Sequence, residues 1–338
     1  MNESFKSPDK RLAVILLNWN GKNLLKEFLP AAVEFTTAPE VELMVADNGS
    51  TDGSVEWIEQ NYPAVRIIKF DRNYGFAEGY NRAIARTSYP FTILLNTDVE
   101  VTPEWWRPLL RFMEQNPDVG ACQPKIKSYR DRNMFEYAGA AGGYLDRLGY
   151  PYCRGRLFDR LEKDHGQYDE GPVDLCWASG AALAVRTSLY LELGGLDPLF
   201  FAHMEEIDLC CRMLGAGYRV CFVPGSEVFH LGGGTLHQGD PKKTYLNFRN
   251  NLLLLYKNLD TSKRRSTLFL RRLFDTFAFI MYVAKLDFAN ARAILKAHND
   301  YRRMKKRYKN YSQGGKLKSF PGSERMAVVD RFILNKKL

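Results

Sequence analysis

The 338-residue sequence lacks several features that would mark a specialised class of protein. Its six cysteines form no CxxC pair, which argues against a structural zinc site, and their spacing implies no disulfide framework. No internal repeat is visible. The polar N-terminus, MNESFKSPDK, does not have the pattern of a signal peptide. We therefore expect a folded protein of the reducing cytosol.

The chain also lacks an even distribution of charge. Its net charge is +9, but residues 241–338 carry 24 Lys and Arg against 6 Asp and Glu, whereas residues 1–240 carry 24 against 33. A basic segment of this kind suits an anionic surface, either nucleic acid or a membrane leaflet. We predict two parts, an α/β domain over 1–240 and a basic, mainly helical extension over 241–338.

Four apolar runs in the first hundred residues predict strands that are buried on both faces. They cover residues 11–17, 41–47, 64–70 and 91–96. Helix-like segments at 23–35, 54–61 and 77–86 separate them. This alternation predicts an α/β fold with a mostly parallel sheet and helices on both faces. A strand and turn over 173–186, a helix over 204–217 and a strand over 218–224 follow, whereas 122–174 show a weaker pattern.

Polar clusters follow the predicted strands at NWNG (18–21), DNGSTDGS (47–54), DRNYGFAEG (71–79) and NTD (96–98). Ligands of parallel sheets bind beyond the carboxyl ends of the strands, so these clusters predict a ligand site. Asp47 could accept the N3–H of uracil or thymine, or it could simply end a strand before a turn. Gly75 and Gly79 could let the backbone approach a diphosphate, or only form a loop before a helix.

Two further side chains at predicted strand ends suit a divalent metal. Asp98 follows the run LLNT, and a carboxylate at the end of a buried strand is costly unless it has a partner. Mg²⁺ and Mn²⁺ prefer carboxylate oxygens and often bridge to phosphates. A helix cap or a salt bridge is the alternative for Asp98. His230 also follows an apolar strand and enters a glycine-rich loop, although a lone histidine is more often structural.

The segment HMEEIDLCCR places Glu205, Glu206 and Asp208 at the predicted start of a helix. The helix dipole alone would favour carboxylates there. Their mutual repulsion beside apolar residues also suits a general base with a shifted pKa. Upstream, Trp177 and the turn that contains Gly180 and Ala181 are candidates to line a sugar or acceptor site. The alternative for Trp177 is packing in the core.

Taken in order, seven segments resemble those of inverting family 2 glycosyltransferases with the Rossmann-like GT-A fold. Within that family they are most similar to bacterial rhamnosyltransferase-like enzymes of surface-polysaccharide assembly. The resemblance covers roughly residues 11–235. The segments are VILLNWNG, DNGSTDGS, NYGFAEGYNRA, LLNTDVEV, SGAALAVRTSLYLELGGLDPLFF, EEIDLCCR and FHLGGG.

The resemblance implies a role for each matching residue. It implies nucleotide or diphosphate contacts for Asn18, Asn20, Asp47, Gly75, Asn81 and Asn96. It also implies that Asp98 and His230 bind Mg²⁺ or Mn²⁺ and that Glu206 is the catalytic base. Two departures from the family pattern matter. Asn96 replaces a carboxylate of the metal motif, so we expect weak metal affinity without nucleotide. Glu206 replaces an aspartate, which leaves Glu205 and Asp208 as alternative bases.

The implied activity is transfer of a sugar from a nucleotide-diphosphate donor, with dTDP-rhamnose as the first choice. The acceptor would be a saccharide or a lipid-linked saccharide in cell-surface polysaccharide synthesis. A sugar-phosphate nucleotidyltransferase is one alternative, but NWNGKN lacks the glycine-rich, basic loop that a triphosphate needs. A nucleic-acid-binding protein is another, but the acidic residues 1–240 argue against it, so we expect no nucleic-acid partner.

The basic extension mixes large apolar residues with Arg and Lys over 267–298, and YRRMKKRYKNY follows. Its longest apolar run, 277–284, is far shorter than the roughly 20 residues that span a bilayer. We therefore predict helices that lie on an anionic membrane surface, which would make the enzyme peripheral on the cytoplasmic face. The alternative is that these helices pack on the catalytic domain or on a second subunit in a homodimer.

Overall fold

The computed structural model describes residues 10–232, 239–309, 311 and 316–334. Within them the strands are β1 (Leu12–Asn18), β2 (Val41–Asp47), β3 (Arg66–Lys69), β4 (Phe91–Leu95), β5 (Val99–Val101), β6 (Val119–Ser128), β7 (Gly143–Leu145), β8 (Pro151–Cys153), β9 (Arg156–Leu157), β10 (Arg160–Leu161), β11 (Val173–Asp174), β12 (Ala182–Arg186) and β13 (Arg219–His230). The α-helices are α1 (Lys22–Thr36), α2 (Ser54–Asn61), α3 (Phe76–Ile84), α4 (Trp106–Gln115), α5 (Thr187–Glu192), α6 (Glu205–Gly215), α7 (Pro241–Asn258), α8 (Thr261–Ala284), α9 (Phe288–Met304) and α10 (Ala327–Phe332).

The main sheet of the described residues has the strand order β11-β13-β6-β12-β4-β1-β2-β3, and β5 pairs with β13. Strands β1 to β4 are parallel where they pair, and β13 is parallel to β6. Strand β12 runs antiparallel between β4 and β6. A small antiparallel sheet holds β7 to β10. The predicted α/β class with a mostly parallel sheet is confirmed.

Alternate side chains of β1 pack against different helical layers. Leu12, Val14 and Leu16 share one core with α1, α2 and α4. Ala13 and Ile15 share another core with α3, α5, α6 and α7. A strand that is buried on both faces must be apolar throughout, which explains the continuous run in the sequence.

The predicted elements differ from the structure mainly at their ends. The bounds of β2 and α2 are those expected, and α1, α3 and α6 lie within two residues of their predicted bounds. Strand β13 is longer than predicted, because it continues past Pro224 through a register irregularity between Val223 and Glu227. This extension carries the strand to His230. Helix α4 and strand β6 have no counterpart among the predicted elements.

The basic C-terminal helices pack closely on the α/β part of the chain. Leu252 to Leu255 of α7 are fully buried in the core that also contains α6. No helix of the described residues is long and apolar enough to cross a membrane. The boundary at residue 240 stays a prediction, and the burial of α7 shows that the two parts share a core.

A buried ionic network joins α6 to α7. Lys257 Nζ donates to Asp208 Oδ2 at 2.8 Å and to Asp197 Oδ2 at 2.7 Å. Arg212 Nε donates to Asp208 Oδ2 at 2.9 Å, and Asn258 Nδ2 donates to Asp208 Oδ1 at 2.9 Å. Asp208 is fully buried, so its charge is stable only while these partners remain.

Lys257→Ala should destabilise the protein by roughly 3–5 kcal/mol, because it leaves Asp208 and Asp197 with fewer cationic partners inside the protein. Urea unfolding gives this free energy. The matched control is Lys69→Ala, which breaks the exposed Lys69–Glu59 pair and should change stability far less. Equal effects of the two substitutions would contradict a structural role for the α6–α7 network.

Candidate active site

The predicted site residues gather at one edge of the main sheet. Asn18 and Asp47, the last residues of β1 and β2, are register partners, and Leu95 at the end of β4 pairs with Leu16. Strand β12 is antiparallel to both β4 and β6, and β13 is parallel to β6, so β13 runs in the same direction as β4. The last residue of β13, His230, therefore also lies at the carboxyl edge. The edge therefore brings together side chains that are far apart in the sequence.

Asn18 organises the loops that follow β1 and β2. Its fully buried amide nitrogen lies 3.1 Å from Asp47 Oδ1, 3.1 Å from Ser50 Oγ and 2.9 Å from Ser54 Oγ. Its Oδ1 accepts from the Gly21 amide at 3.2 Å. Asn18 thus fixes the loops by hydrogen bonds within the protein, and its predicted nucleotide contact stays a prediction.

Asp47 and Asn20 complete these loops. Asp47 Oδ2 accepts from the Ser50 amide at 3.0 Å, and Asn20 Oδ1 accepts from the Thr51 amide at 2.8 Å. Asp47 is buried at the strand end, and each of its oxygens has one protein donor. A carboxylate oxygen has more than one acceptor direction, so this arrangement is compatible with a nucleobase N–H as a further donor.

The turn before α3 is held by Asn48, which is not among the site residues predicted from the sequence. Asn48 Nδ2 donates to the Gly75 carbonyl at 3.0 Å, and its Oδ1 accepts from the Tyr74 amide at 2.9 Å. Gly75 has a φ of 80°, and a Cβ added there would meet nothing within 4 Å. The backbone is thus open at the N-terminus of α3, as a diphosphate site requires.

Asn81 forms hydrogen bonds with Leu196 and Tyr190. Its Nδ2 donates to the Leu196 carbonyl at 2.7 Å, and its Oδ1 accepts from the Leu196 amide at 2.9 Å and from the Tyr190 hydroxyl at 2.6 Å. These bonds tie α3 to the loop after α5. The predicted nucleotide or diphosphate contact of Asn81 stays a prediction.

Asp98 and His230 lie together at the carboxyl edge. His230 pairs with Val99 across β13 and β5, and its Nε2 lies 3.2 Å from Asp98 Oδ1. On its other side, Nδ1 lies 3.2 Å from Glu136 Oε2, an ion-pair distance without good hydrogen-bond alignment. Burial alone would lower the pKa of His230, but the two carboxylates raise it to about 10. Burial would raise the pKa of Asp98, and the contact with His230 lowers it.

The donor set at this point suits a hard divalent cation. Asp98 would supply a carboxylate oxygen and His230 an imidazole nitrogen to such an ion. No cluster of three or more potential ligands occurs within the described ranges, so phosphate oxygens and water would have to supply the remaining ligands. Asn96 follows β4, and its backbone N–H donates to the Ala181 carbonyl at 2.9 Å. The loop after His230 is described as far as Gly232, and residues 233–238 lie outside the described residues.

Glu206 lies beside the turn before β12. A Cβ added at Gly180 would lie 3.7 Å from Glu206 Cβ and Cγ and 3.8 Å from Phe76 Cζ. Gly180 is next to Ala181, which binds the Asn96 amide. Glu206 therefore lies close to both the start of α3 and the end of β4. Its Oε2 is buried and has no hydrogen-bond partner, and burial raises its pKa from 4.5 to about 7.

The two neighbouring acids have different environments. Glu205 is buried, and burial followed by the charge of Glu206 raises its pKa well above 4.5. Burial would raise the pKa of Asp208, but Lys257 and Arg212 lower it. Asp208 is bound within the α6–α7 network, so the structure contradicts it as an alternative base. Among the three acids, Glu206 best combines an unpartnered oxygen with a pKa near neutrality.

Trp177 belongs to the core. Only 4% of its surface is exposed, its Nε1 donates to the Tyr144 carbonyl at 3.0 Å, and its ring covers Gly143. The prediction that Trp177 lines a sugar or acceptor site is corrected, because the side chain has no exposed face to offer. Gly180 and Ala181 remain candidates through their backbone at the turn.

Comparisons with known proteins define the class. Residues 13–169 match the family described as glycosyl transferase family 2. The chain is 31% identical over 237 residues to the N-acetylglucosaminyl-diphospho-decaprenol L-rhamnosyltransferase of Mycobacterium tuberculosis, covering 65% of this chain and 75% of that protein. It is 36% identical over 166 residues to rhamnosyltransferase WbbL of Escherichia coli K12, covering 46% of this chain and 61% of WbbL.

The fold is also similar to that of a solved structure, GalNAc-T7 with UDP, GalNAc and Mn²⁺. The TM-score is 0.58 at 17% identity, over 76% of this chain and 50% of that chain. Together these findings confirm the GT-A fold. The chain belongs to glycosyltransferase family 2 and is a glycosyltransferase.

The raised pKa of Glu206 predicts a pH-dependent stability. Above pH 4.5 the unfolded chain releases this proton while the folded protein retains it up to about pH 7, so stability falls as pH rises through this window. Glu206→Gln removes the titration. The variant should gain on the order of 1–3 kcal/mol relative to the parent at pH 8, and less at pH 5.

Denaturant unfolding of both proteins at pH 5 and pH 8 measures this difference. Glu34→Gln, an exposed substitution on α1, controls for the loss of one carboxylate. A Glu206→Gln variant with the same relative stability at both pH values would show that the folded protein does not perturb Glu206.

Proposed function

We propose that this protein transfers a sugar from a nucleotide-diphosphate donor to a hydroxyl acceptor, with a divalent metal and inversion at the anomeric carbon. L-Rhamnose from dTDP-rhamnose is the first choice of donor, because two relatives are rhamnosyltransferases. The acceptor is a saccharide or lipid-linked saccharide of cell-surface polysaccharide synthesis. The name of the mycobacterial relative, which includes a diphospho-decaprenol, supports a lipid-linked acceptor.

The observation that carries the proposal is that groups suited to a nucleotide, a diphosphate and a metal lie together at the carboxyl edge. The Asn18–Asp47 loops offer a nucleotide end, the open Gly75 backbone offers a diphosphate end, and Asp98 lies with His230 beyond β4. Glu206 reaches the same region through its contact with the Gly180 turn. A nucleotide sugar that lies along this edge would present its anomeric carbon near Glu206.

Asp98 and His230 are the residues that would hold Mg²⁺ or Mn²⁺. The metal supplies charge stabilisation to the leaving diphosphate. GalNAc-T7, which is similar in fold, was solved with Mn²⁺. Because His230 is protonated in the arrangement described above, binding of a cation would release that proton.

Glu206 acts as the general base in this proposal. Its unpartnered Oε2 accepts the proton of the acceptor hydroxyl. The hydroxyl oxygen then forms a bond to the anomeric carbon while the bond from that carbon to the diphosphate oxygen breaks. Attack from the side opposite to the diphosphate inverts the configuration. A pKa near 7 leaves much of Glu206 ionised at neutral pH, as a base requires.

A lipid-linked acceptor is held in a membrane, so the enzyme would act at a membrane surface. We propose a peripheral location on the cytoplasmic leaflet, where nucleotide sugars and the basic C-terminal helices would meet the acceptor. A homodimer remains an alternative use of those helices.

Asp98→Ala should remove metal-dependent nucleotide binding while leaving the fold intact, because it deletes the anionic ligand. Titration calorimetry of dTDP with and without Mn²⁺ gives the coupling. His230→Ala should weaken Mn²⁺ binding more modestly, and in the parent the Mn²⁺ affinity should rise with pH as the His230 proton is displaced.

The control for this test is Glu59→Ala, which removes an exposed carboxylate from α2. Unchanged Mn²⁺-dependent dTDP binding in Asp98→Ala would contradict the metal site. If His230→Ala needs no more Mn²⁺ than the parent, His230 has a structural role only.

Glu206→Gln should bind the donor nearly normally but lose turnover by roughly 10²-fold or more, the usual scale for removing a general base. Nucleoside diphosphate release in the presence of acceptor measures turnover. Glu205→Gln is the matched control, because it makes the same change at the neighbouring buried residue of α6. If Glu205→Gln shows the larger loss, the base is Glu205 and the assignment to Glu206 is wrong.

A further inference from the structure

Helix α8 presents an apolar face that is open to solvent. Its buried side chains, Leu268, Arg271 and Asp275, recur at helical spacing along one side. Large exposed apolar residues occupy the other side, and Phe269 and Phe277 are each 62% exposed. The α8 face consists of Phe269, Leu270, Leu273, Phe277, Ile280 and Met281. Monomeric soluble proteins rarely expose a continuous apolar patch of this kind without a partner.

The charges around the α8 face have one predominant sign. Residues 261–309 contain 14 Lys and Arg against three Asp. Each of these acids has a partner inside the protein: Asp275 binds Arg271, Asp287 caps α9, and Asp300 accepts from Tyr245. The segment that carries the apolar face is therefore strongly cationic.

Exposed cations lie before and after the α8 face along the chain. Lys263 and Arg265 lie in the first turns of α8, Lys285 follows its last residue, and Arg292 lies on α9. In the part of the chain that the structure describes, no ion pair joins these four side chains to an acid. Their charges are available to an anionic partner.

We propose that the α8 face is a docking surface for an anionic lipid bilayer. A helix that lies in a membrane interface combines an apolar face with flanking Lys and Arg, and anionic headgroups attract the cations while the apolar side chains enter the acyl boundary. A second copy of the chain is a poorer partner, because face-to-face pairing would bring two strongly cationic segments together.

The α8 face is about 18 Å long from Phe269 to Met281 at 1.5 Å per residue, and it is too short and too one-sided to span a bilayer. It suits a helix lying flat. Arg271 and Asp275 on the opposite side are buried against the rest of the protein, so α8 can bind lipid without unfolding. Docking extends the proposed function but depends on neither the donor, the metal nor Glu206.

The test is flotation of the full-length protein with vesicles that contain no acceptor. We expect binding to vesicles of phosphatidylglycerol and phosphatidylcholine, no binding to phosphatidylcholine alone, and weaker binding as salt rises. The triple variant Leu273→Ser/Phe277→Ser/Ile280→Ser should bind at least tenfold less. Lys285→Gln/Arg292→Gln should weaken binding to the anionic vesicles and reduce its dependence on salt.

The matched control is Leu161→Ser/Leu191→Ser, which changes exposed leucines outside the α8 face and should bind like the parent. Point variants are preferable to truncation, because α9 contributes the buried Ile294, Ala297 and Tyr301. Circular dichroism verifies that each variant folds, and dTDP binding verifies that the donor site is intact.

Three results would overturn the proposal. The triple variant could bind anionic vesicles as tightly as the parent, or the parent could bind no vesicles. Alternatively, sedimentation equilibrium could show a dimer that the triple variant converts to a monomer while vesicle binding is absent, which would make the α8 face a subunit interface. A failure of vesicle binding together with normal Mn²⁺-dependent dTDP binding would leave the proposed catalytic function standing.

Discussion

The parallel register of the main sheet is the constraint on which the site depends. Pairing of Asn18 with Asp47 brings the ends of β1 and β2 level, and the parallel pairing of β13 with β6 carries His230 to the same edge. The buried Asn18 amide then holds the loops that leave β1 and β2. A shift of one residue in this register would turn the buried side chains of β1 to the wrong layer and separate the polar ends.

Burial gives the acidic residues of the site different properties. Asp208 is stabilised as an anion by Lys257 and Arg212, whereas Glu206 has no such partner and its pKa is raised. The α6–α7 network therefore fixes the helix whose first turn carries the proposed base. Among the C-terminal helices, α7 is therefore buried in the core of the α/β fold, whereas α8 exposes an apolar face to solvent.

The sequence predicted those features that depend on local pattern. Strand β2 and helix α2 were bounded correctly because an apolar run ends at a polar turn and a helix follows. Strand β3 is shorter than expected because the Val65 amide donates to the Tyr62 carbonyl in a turn, and the strand begins only at Arg66. Strands β7 to β10 span only two or three residues, too few for a periodic pattern to be visible.

Features that depend on distant contacts could not be predicted in this way. The sequence leaves Asp208 as an alternative base, because its ion pair with Lys257, which lies in another helix, becomes visible only in the fold. Glu136 is the unforeseen neighbour of His230, and nothing in the sequence around it indicates that contact. Trp177 could be assigned to the core only when its ring was seen over Gly143. The polar clusters after the predicted strands indicate the edge of the sheet, the family resemblance implies the roles there, and the contacts separate those roles.

In the proposed function the carboxyl edge binds a nucleotide sugar with a divalent metal. The most direct measurement is thermal unfolding with a panel of nucleotide sugars, in Mg²⁺, in Mn²⁺ and in chelator, since a ligand that binds the folded state raises the unfolding temperature. We expect the unfolding temperature to rise with one class of donor, of which dTDP-rhamnose is the first choice, and to rise only when metal is present. No rise with any nucleotide sugar, or a rise that is the same in chelator, would contradict it.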